Sequence, residues 1–512
     1  MESLKNDLVT DLDTFRLRRF VERMIDEDEV EVIEEHIDLV DIAARMDGNE
    51  KAVLFRNAGP EKAELVGSMT GGRRRIARAF GVSTDELLSE VNRRLEIPQE
   101  VLELESADAP VHQVILADDD VDLTALPLHL QHEMDGAPYI SASLDYVVNP
   151  ETGWTNTGAR RLMLRGPTET GIDLAAPSDL KAIYEKCVVE GKPLPIAFTV
   201  GAHPCDHVAA VMRLPVDELP LTARLRGATL PVVKCVTNDI RVPADAEYVI
   251  EGYLDEYGHI EQEGPYGEFL GYYGIMRPNP VFHVTAITHR RDAMFQTSTI
   301  SGRHIGRTDT TQLNAIRAEV TVWRALQTAV REPVGVNITT SSGGNFNVRI
   351  SLRQRMPGEA RNAIAAVMAS LANSKHVFIV DPDIDIFDDA QMDWALATRF
   401  QADRDLVVES GFRTLPLDPS LGGRLTGAKA GFDLTLPLGE RPLAHTVPRS
   451  EFSGSRTHQS VEEVLAEGPR SFGGIMAAVG SRDGREVVRE LDFLRTGGRL
   501  DRVGDGLYAL RA

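Results

Sequence analysis

Two glutamates five positions apart, Glu263 and Glu268, bracket the turn Gly-Pro-Tyr-Gly between expected strands. A rigid turn fixes one carboxyl relative to the other, as paired acid–base work requires. The same segment also reads as a tight loop with solvated acids, because acidic residues are common in turns. A second cluster is Trp154-Thr-Asn156-Thr-Gly-Ala-Arg160-Arg161. There an amide oxygen could face a cation and a guanidinium a carboxylate. The plainer alternative is an exposed basic strand. Strand alternation sends Arg160 and Arg161 to opposite faces, so at most one of them serves a given site.

Other candidates are weaker. His203-Pro-Cys205-Asp-His207 gathers soft ligands but lacks zinc spacing and a second cluster. Asp381-Pro-Asp383-Ile-Asp385 resembles half a calcium loop, yet Ile386 occupies the glycine position, and an EF-hand is rejected. Ser341-Ser-Gly-Gly344 reads as a hairpin turn, since neither phosphate-loop pattern is present. No nucleophile elbow is found.

The elements that must position these residues change in texture along the chain. Residues 12–26 carry apolar side chains at helical spacing, Ala52–Phe55 is strand-like, and Ser83–Glu86 has capping-box spacing that opens a helix through about Arg94. From about 110 to 300 strands dominate, with a hairpin around Asn149–Gly153 joining Tyr139–Val148 to a return strand near Thr155–Arg165. One helix is expected at 179–190. A β-rich middle with few helices points to a barrel or folded sheet. From about 308 helix and strand alternate, and the last sixty residues read as three helices and a hairpin around Gly504–Gly506.

Composition narrows the function. The chain has 512 residues, and 55 basic against 78 acidic side chains leave a net charge of −23. That argues against nucleic acid or an anionic membrane as the main partner. Aromatic residues at 6% are too few for base-stacking platforms. Three scattered cysteines without a CxxC pair read as reduced thiols. With no basic-then-apolar leader and no apolar run long enough to span a bilayer, a cytoplasmic protein is expected.

The order of the segments carries more than any one of them. WTNTGARR, then VVKCVTNDIRVPADAEYVIEGY (232–253), then EGPYGEFLGYYG (263–274), then HVFIVDPDIDIFD and WALATR (394–399) form an ordered set. It resembles the UbiD-type decarboxylase family, which uses prenylated FMN, on its ferulic acid decarboxylase and heteroaromatic acid side. The likeness runs from the N-terminal helix to about residue 445.

The resemblance implies an α+β fold. Its parts are an N-terminal α/β domain (1–108), a flavin-reductase-like split β-barrel that binds prenyl-FMN (109–305), and a C-terminal α/β domain for dimerisation (306–457). A winged-helix-like extension (458–512) follows, for which packing or dimer capping is preferred over DNA binding. The family's catalytic Arg and two Glu carry over to Arg161, Glu263 and Glu268. Its cofactor contacts map to Asn156, Thr157, Ala159, Arg161, Met212 and Glu218. Its divalent metal, Mn²⁺ or Mg²⁺, would be held by Asn156 and Glu218. The family's histidine ligand falls at Ser178–Asp179, where no histidine stands; Asp179 either substitutes as an oxygen ligand or only caps the following helix. A monovalent ion, K⁺ or Na⁺, would sit on carbonyls of Ala210–Met212.

The implied activity is reversible decarboxylation of an aromatic, heteroaromatic or α,β-unsaturated acid, releasing CO₂. Glu268 is the expected proton donor, and Arg161, held by Glu263, would pair with carboxylate groups. Phe269, His304 and Leu436 are expected to line the substrate pocket, with a small pyrrole-, furan- or indole-type acid favoured. A UbiX-type flavin prenyltransferase would supply the cofactor, and a homodimer is expected. The competing reading is a winged-helix-bearing regulatory or binding flavoprotein without turnover.

Overall fold

The computed structural model describes residues 11–439, 445–448, 450 and 454–511, and the chain divides into two compact units, Met1–Leu434 and Thr435–Ala512. In the first unit, helix Leu17–Asp26 buries Leu17, Phe20, Val21 and Met24, the i, i+3, i+4, i+7 stripe that its sequence spacing predicts. Strands Val30–Ile37, Ala52–Ala58 and Ala63–Gly67 form the N-terminal sheet. Its fourth strand, Phe295–Thr297, comes from far down the chain and pairs in parallel with Ala63–Gly67. The N-terminal sheet is therefore completed by a strand that follows the barrel.

The barrel has six strands: Tyr248–Leu254, Leu194–Val200, Tyr139–Val148, Thr155–Leu164, Glu169–Ile172 and Val281–His289. Pairing of Tyr248–Leu254 with Val281–His289 closes it. Strand Val114–Ala117 pairs with the second half of Val281–His289, whose first half pairs with Glu169–Ile172. Every residue of Tyr139–Val148 except Val148 is buried. A strand covered on both faces reads as a near-continuous apolar run rather than a clean alternation.

Two helices in this region correct the expectation that it holds few. Pro204–Val211 and Glu218–Arg226 are nearly buried all round, with only Val211 of the first outside the core. Without a polar face there is no amphipathic period to read, and Pro204 and Pro220 make both segments look like loop. The histidine cluster belongs to this packing. His203 caps the first helix and lies edge-on to Phe15 and Phe20, while His207 meets Gln296 at 3.2 Å.

Arg226 is buried between two carboxylates, bonding Asp206 at 2.7 and 2.6 Å and Asp245 at 2.6 and 3.1 Å. Arg226→Met would leave two buried carboxylates facing each other without a counter-charge. A loss of about 3–5 kcal/mol is expected, read as a lower urea midpoint at unchanged slope.

The C-terminal sheet of the first unit runs in the order Pro333–Ile338, Asn347–Leu352, His376–Val380, Thr426–Asp433, Leu406–Arg413. Helices Asp309–Ala329 and Glu359–Ala369 pack on it, giving the α/β texture expected from about residue 308. Ser341–Gly344 forms the turn between the first two strands, with Gly343 and Gly344 at φ 73° and 67°. Asp383, from the half-calcium sequence, takes both prongs of Arg399 at 3.0 and 2.9 Å.

The second unit holds helices Val461–Ala466, Phe472–Val479 and Arg485–Thr496, then the hairpin Leu500–Val503 with Leu507–Leu510. Val461, Val464, Leu465, Ile475, Val487, Leu491 and Leu494 make its core. All three cysteines are unpaired thiols, and among the described residues no helix is long and apolar enough to cross a membrane.

Candidate active site

Strand Thr155–Leu164 and the loop ladder at 261–279 bring the predicted acid–base residues together. Glu261–Glu263 pairs with Arg277–Asn279, and Tyr266–Gly267 with Tyr273–Gly274. Between these short ladders Gly264 sits at φ 91°, a left-handed conformation that glycine adopts without a Cβ penalty. The turn thus points both glutamates at one guanidinium. Arg161 Nε donates to Glu263 Oε1 at 3.0 Å and Nη2 to Glu263 Oε2 at 3.1 Å, while Nη1 bonds Glu268 Oε1. Arg160, on the other face, pairs with Asp145 at 3.2 Å, as alternation requires.

Sequence reasoning missed the remainder of this cluster. Tyr139 donates to Glu263 Oε1 at 3.1 Å, and Asn279 Nδ2 lies 3.5 Å from Glu263 Oε2. The Tyr266 ring stands 4.5 Å beneath the Arg161 guanidinium, and Asp173 is 3.4 Å from Arg161 Nη2. Tyr266 was within reach, since it lies inside the Glu-Gly-Pro-Tyr-Gly-Glu turn. Tyr139, Asp173 and Asn279 come from separate parts of the barrel and its loops, and no local pattern marks them.

Three carboxylates therefore face one guanidinium, and a single positive charge cannot balance three negative ones. Glu263, 1% exposed, takes the two-pronged contact. Burial pushes Glu268 above the ordinary carboxyl range, with Asp173 and Glu263 adding to the effect against the pull of Arg161. Glu268 thus keeps a proton more readily than an ordinary carboxyl group. Burial likewise raises Tyr139, which stays protonated and able to donate.

Of the residues expected to hold metal and cofactor, Asn156, Thr157 and Ala159 lie on the same strand as Arg161, while Glu218, Met212 and Asp179 come from helix ends. Glu218, the first residue of its helix, accepts from Asn156 Nδ2 at 3.0 Å and from the Thr157 backbone amide. Asp217 caps that helix and accepts the Thr155 amide at 3.2 Å, which docks the helix start against the strand. Burial, with Asp145 nearby, pushes Glu218 up to about 8. A buried carboxylate of this kind with an adjacent amide suits a hard cation, whose charge would favour the ionised form.

The Thr157 hydroxyl is buried without a hydrogen-bond partner, and Ala159 is exposed on the same strand face as Thr157 and Arg161. Met212 follows the last residue of helix Pro204–Val211, where carbonyls lose their helical partners. Asp179 is exposed and does not cap its helix: Ser178 Oγ takes that role, accepting the Lys181 amide at 3.2 Å. Among the described residues no three His, Cys, Asp or Glu side chains converge as a ready-made metal site.

Two of the three expected substrate-pocket residues, Phe269 and His304, belong to the first unit. Phe269 is half-buried and packs toward Gly343. His304 is exposed, bonds Asp47 at 3.2 Å, and lines a cavity of about 370 Å³ together with His129, Gln131 and His132. That cavity backs onto the 263–268 turn, because the Tyr266 hydroxyl donates to Gln131 Oε1 at 2.6 Å. Leu436 belongs to the second unit and is half-buried there.

Comparison with known proteins identifies the family. Family models for the N-terminal, Rift-related and C-terminal domains of 3-octaprenyl-4-hydroxybenzoate carboxy-lyase (UbiD) match residues 21–95, 102–304 and 311–434. An anhydromevalonate phosphate decarboxylase of Methanosarcina mazei is 30% identical over 431 residues, covering 83% of this chain and 97% of that protein. The UbiD-class enzyme HmfF of Pelotomaculum thermopropionicum in complex with FMN superposes with a TM-score of 0.79 at 33% identity, covering 85% of this chain and 97% of its own. An evolved dimeric form of HmfF in complex with prFMN gives a TM-score of 0.76 at 32% identity over 85% of this chain and 97% of its own.

Proposed function

The chain belongs to the UbiD family of carboxy-lyases, and from that footing we propose that it decarboxylates an aromatic, heteroaromatic or α,β-unsaturated acid reversibly, with prenylated FMN as cofactor. The observation that carries this reading is the buried group in which Glu263 grips Arg161 with both oxygens while Glu268 bonds its third prong. The HmfF structures with FMN and prFMN support the choice of cofactor. When bound, prenylated flavin supplies the electron sink that lets CO₂ leave an sp² carbon.

The protein's own tasks are to orient the acid, exclude water and hold a proton. Arg161 pairs with the substrate carboxylate through the guanidinium edge that Glu268 occupies in this structure. Glu263, Tyr139 and Asn279 keep the guanidinium in place while that exchange happens. Glu268 then gives its proton to the carbon that CO₂ has left, and the reverse sequence serves carboxylation at high CO₂. Asn156 and Glu218 would hold Mn²⁺ or Mg²⁺, and Asp179 would stand in as an oxygen ligand for the family's histidine. Carbonyls of Ala210–Met212 would hold K⁺ or Na⁺. Thr157, Ala159 and Met212 line the cofactor, which a UbiX-type prenyltransferase supplies to a cytoplasmic homodimer.

The half-buried Phe269 ring favours a small substrate such as pyrrole-, furan- or indole-carboxylic acid. The test is CO₂ release by protein co-produced with the prenyltransferase, given these acids, a cinnamic acid and anhydromevalonate phosphate, the substrate in the methanogen relative's name. Turnover of a heteroaromatic acid at least tenfold above the other two is expected. Preference for anhydromevalonate phosphate would overturn the substrate assignment and keep the decarboxylase.

A further inference from the structure

In a chain with 78 acidic and 55 basic residues, a cavity walled by four bases and one acid runs against the overall charge. It lies in the C-terminal sheet of the first unit, encloses about 210 Å³, and is lined by Lys375, Arg413, Arg424, Lys429 and Asp418. It shares no residue with the Arg161 cluster. Lys375 and the single acid answer each other: Lys375 Nζ lies 2.7 Å from Asp418 Oδ2.

The other three cations have no such answer. Lys429, on strand Thr426–Asp433, is only 5% exposed. Its ammonium donates to the Met368 carbonyl at 2.6 Å and lies 5.1 Å from the centre of the Phe412 ring. Arg424 Nε donates to the Leu421 carbonyl at 3.2 Å. The Arg413 side chain makes no hydrogen bond or ion pair with any described residue, and neither Lys429 nor Arg424 meets a described carboxylate. Burial, with Arg413 nearby, pushes Lys429 down to about 8. A buried ammonium without a carboxylate is costly unless an anion is present to pair with it.

We propose that this cavity is a binding site for a phosphate group, free or as the head of a small phosphomonoester, with Lys429 at its base and Arg413 and Arg424 at its mouth. Three uncompensated positive charges match a dianion better than a halide or a lone carboxylate. Two guanidinium forks at the entrance suit the tetrahedral oxygens of phosphate.

The experiment is thermal denaturation of the flavin-loaded full chain in inorganic phosphate against sodium chloride of equal ionic strength. A saturating rise of several degrees over chloride is expected at millimolar phosphate. Arg413→Gln, a change at an exposed side chain, should weaken the midpoint at least tenfold. Lys429→Met should melt higher than wild type in chloride and lose the phosphate response. Glycerol phosphate matching inorganic phosphate would point to a phosphomonoester head, and a response to inorganic phosphate alone to the free ion; both uphold the site. No rise over chloride, or a linear unsaturating rise shared by both variants, would be general salt exclusion and would overturn it.

Discussion

Glu268→Gln should lose roughly three to four orders of magnitude in kcat while the protein still binds flavin, because the amide keeps the shape and removes the transferable proton. Wild-type kcat supplies the companion signature. Glu268 works protonated, and burial raises its pKa above the usual 4.5, so activity persists beyond the ordinary carboxyl range and falls as pH climbs through the raised value. The stability sign follows from the same shift. A carboxyl raised on folding favours the folded state least when both states are ionised, so its contribution declines with rising pH. The neutral amide removes that decline, and Glu268→Gln should melt no lower than wild type in alkaline buffer. Flavin absorbance and CO₂ release measured on the same preparation separate the two effects. Turnover near the wild-type rate would remove Glu268 from the chemistry.

What could be seen in the sequence was what lies close together along it. Glu263 and Glu268 share one turn, Asn156 and Arg161 one strand, and the ordered motifs around them carry the family resemblance. Strand alternation correctly separated Arg160, which faces Asp145, from Arg161, which faces Glu263. Tyr139, Asp173 and Asn279 were invisible because they meet Arg161 and Glu263 only after the barrel closes. The helices Pro204–Val211 and Glu218–Arg226 were hidden for a different reason: burial on all sides erases the period that marks a helix. That second omission bears on function, since Glu218 reaches Asn156 only because it opens one of those helices. The pairing of Phe295–Thr297 with Ala63–Gly67 was not legible, because parallel pairing over so long a separation leaves no local trace.

Asn156→Ala should remove the divalent metal and the flavin together, with metal affinity reduced about 100-fold or more, beyond what loss of an outer contact costs. The expectation rests on the geometry at the end of strand Thr155–Leu164. Asn156 uses its amide nitrogen to hold Glu218, which leaves the amide oxygen as the group available to a cation. Alanine removes that oxygen and one of the bonds that orient Glu218. The Thr157 amide still holds the glutamate, and Asp217 still caps the helix, so the fold should survive. Arg161→Lys is the necessary contrast. It leaves Asn156 and Glu218 untouched, so flavin and metal should stay bound while KM rises, because a lysine cannot reproduce the two-pronged contact with Glu263. Elemental analysis and visible absorbance of the two purified variants decide between anchoring and catalysis. Stoichiometric flavin in Asn156→Ala would mean that the cofactor is held without this strand end, and the metal assignment would fall with it.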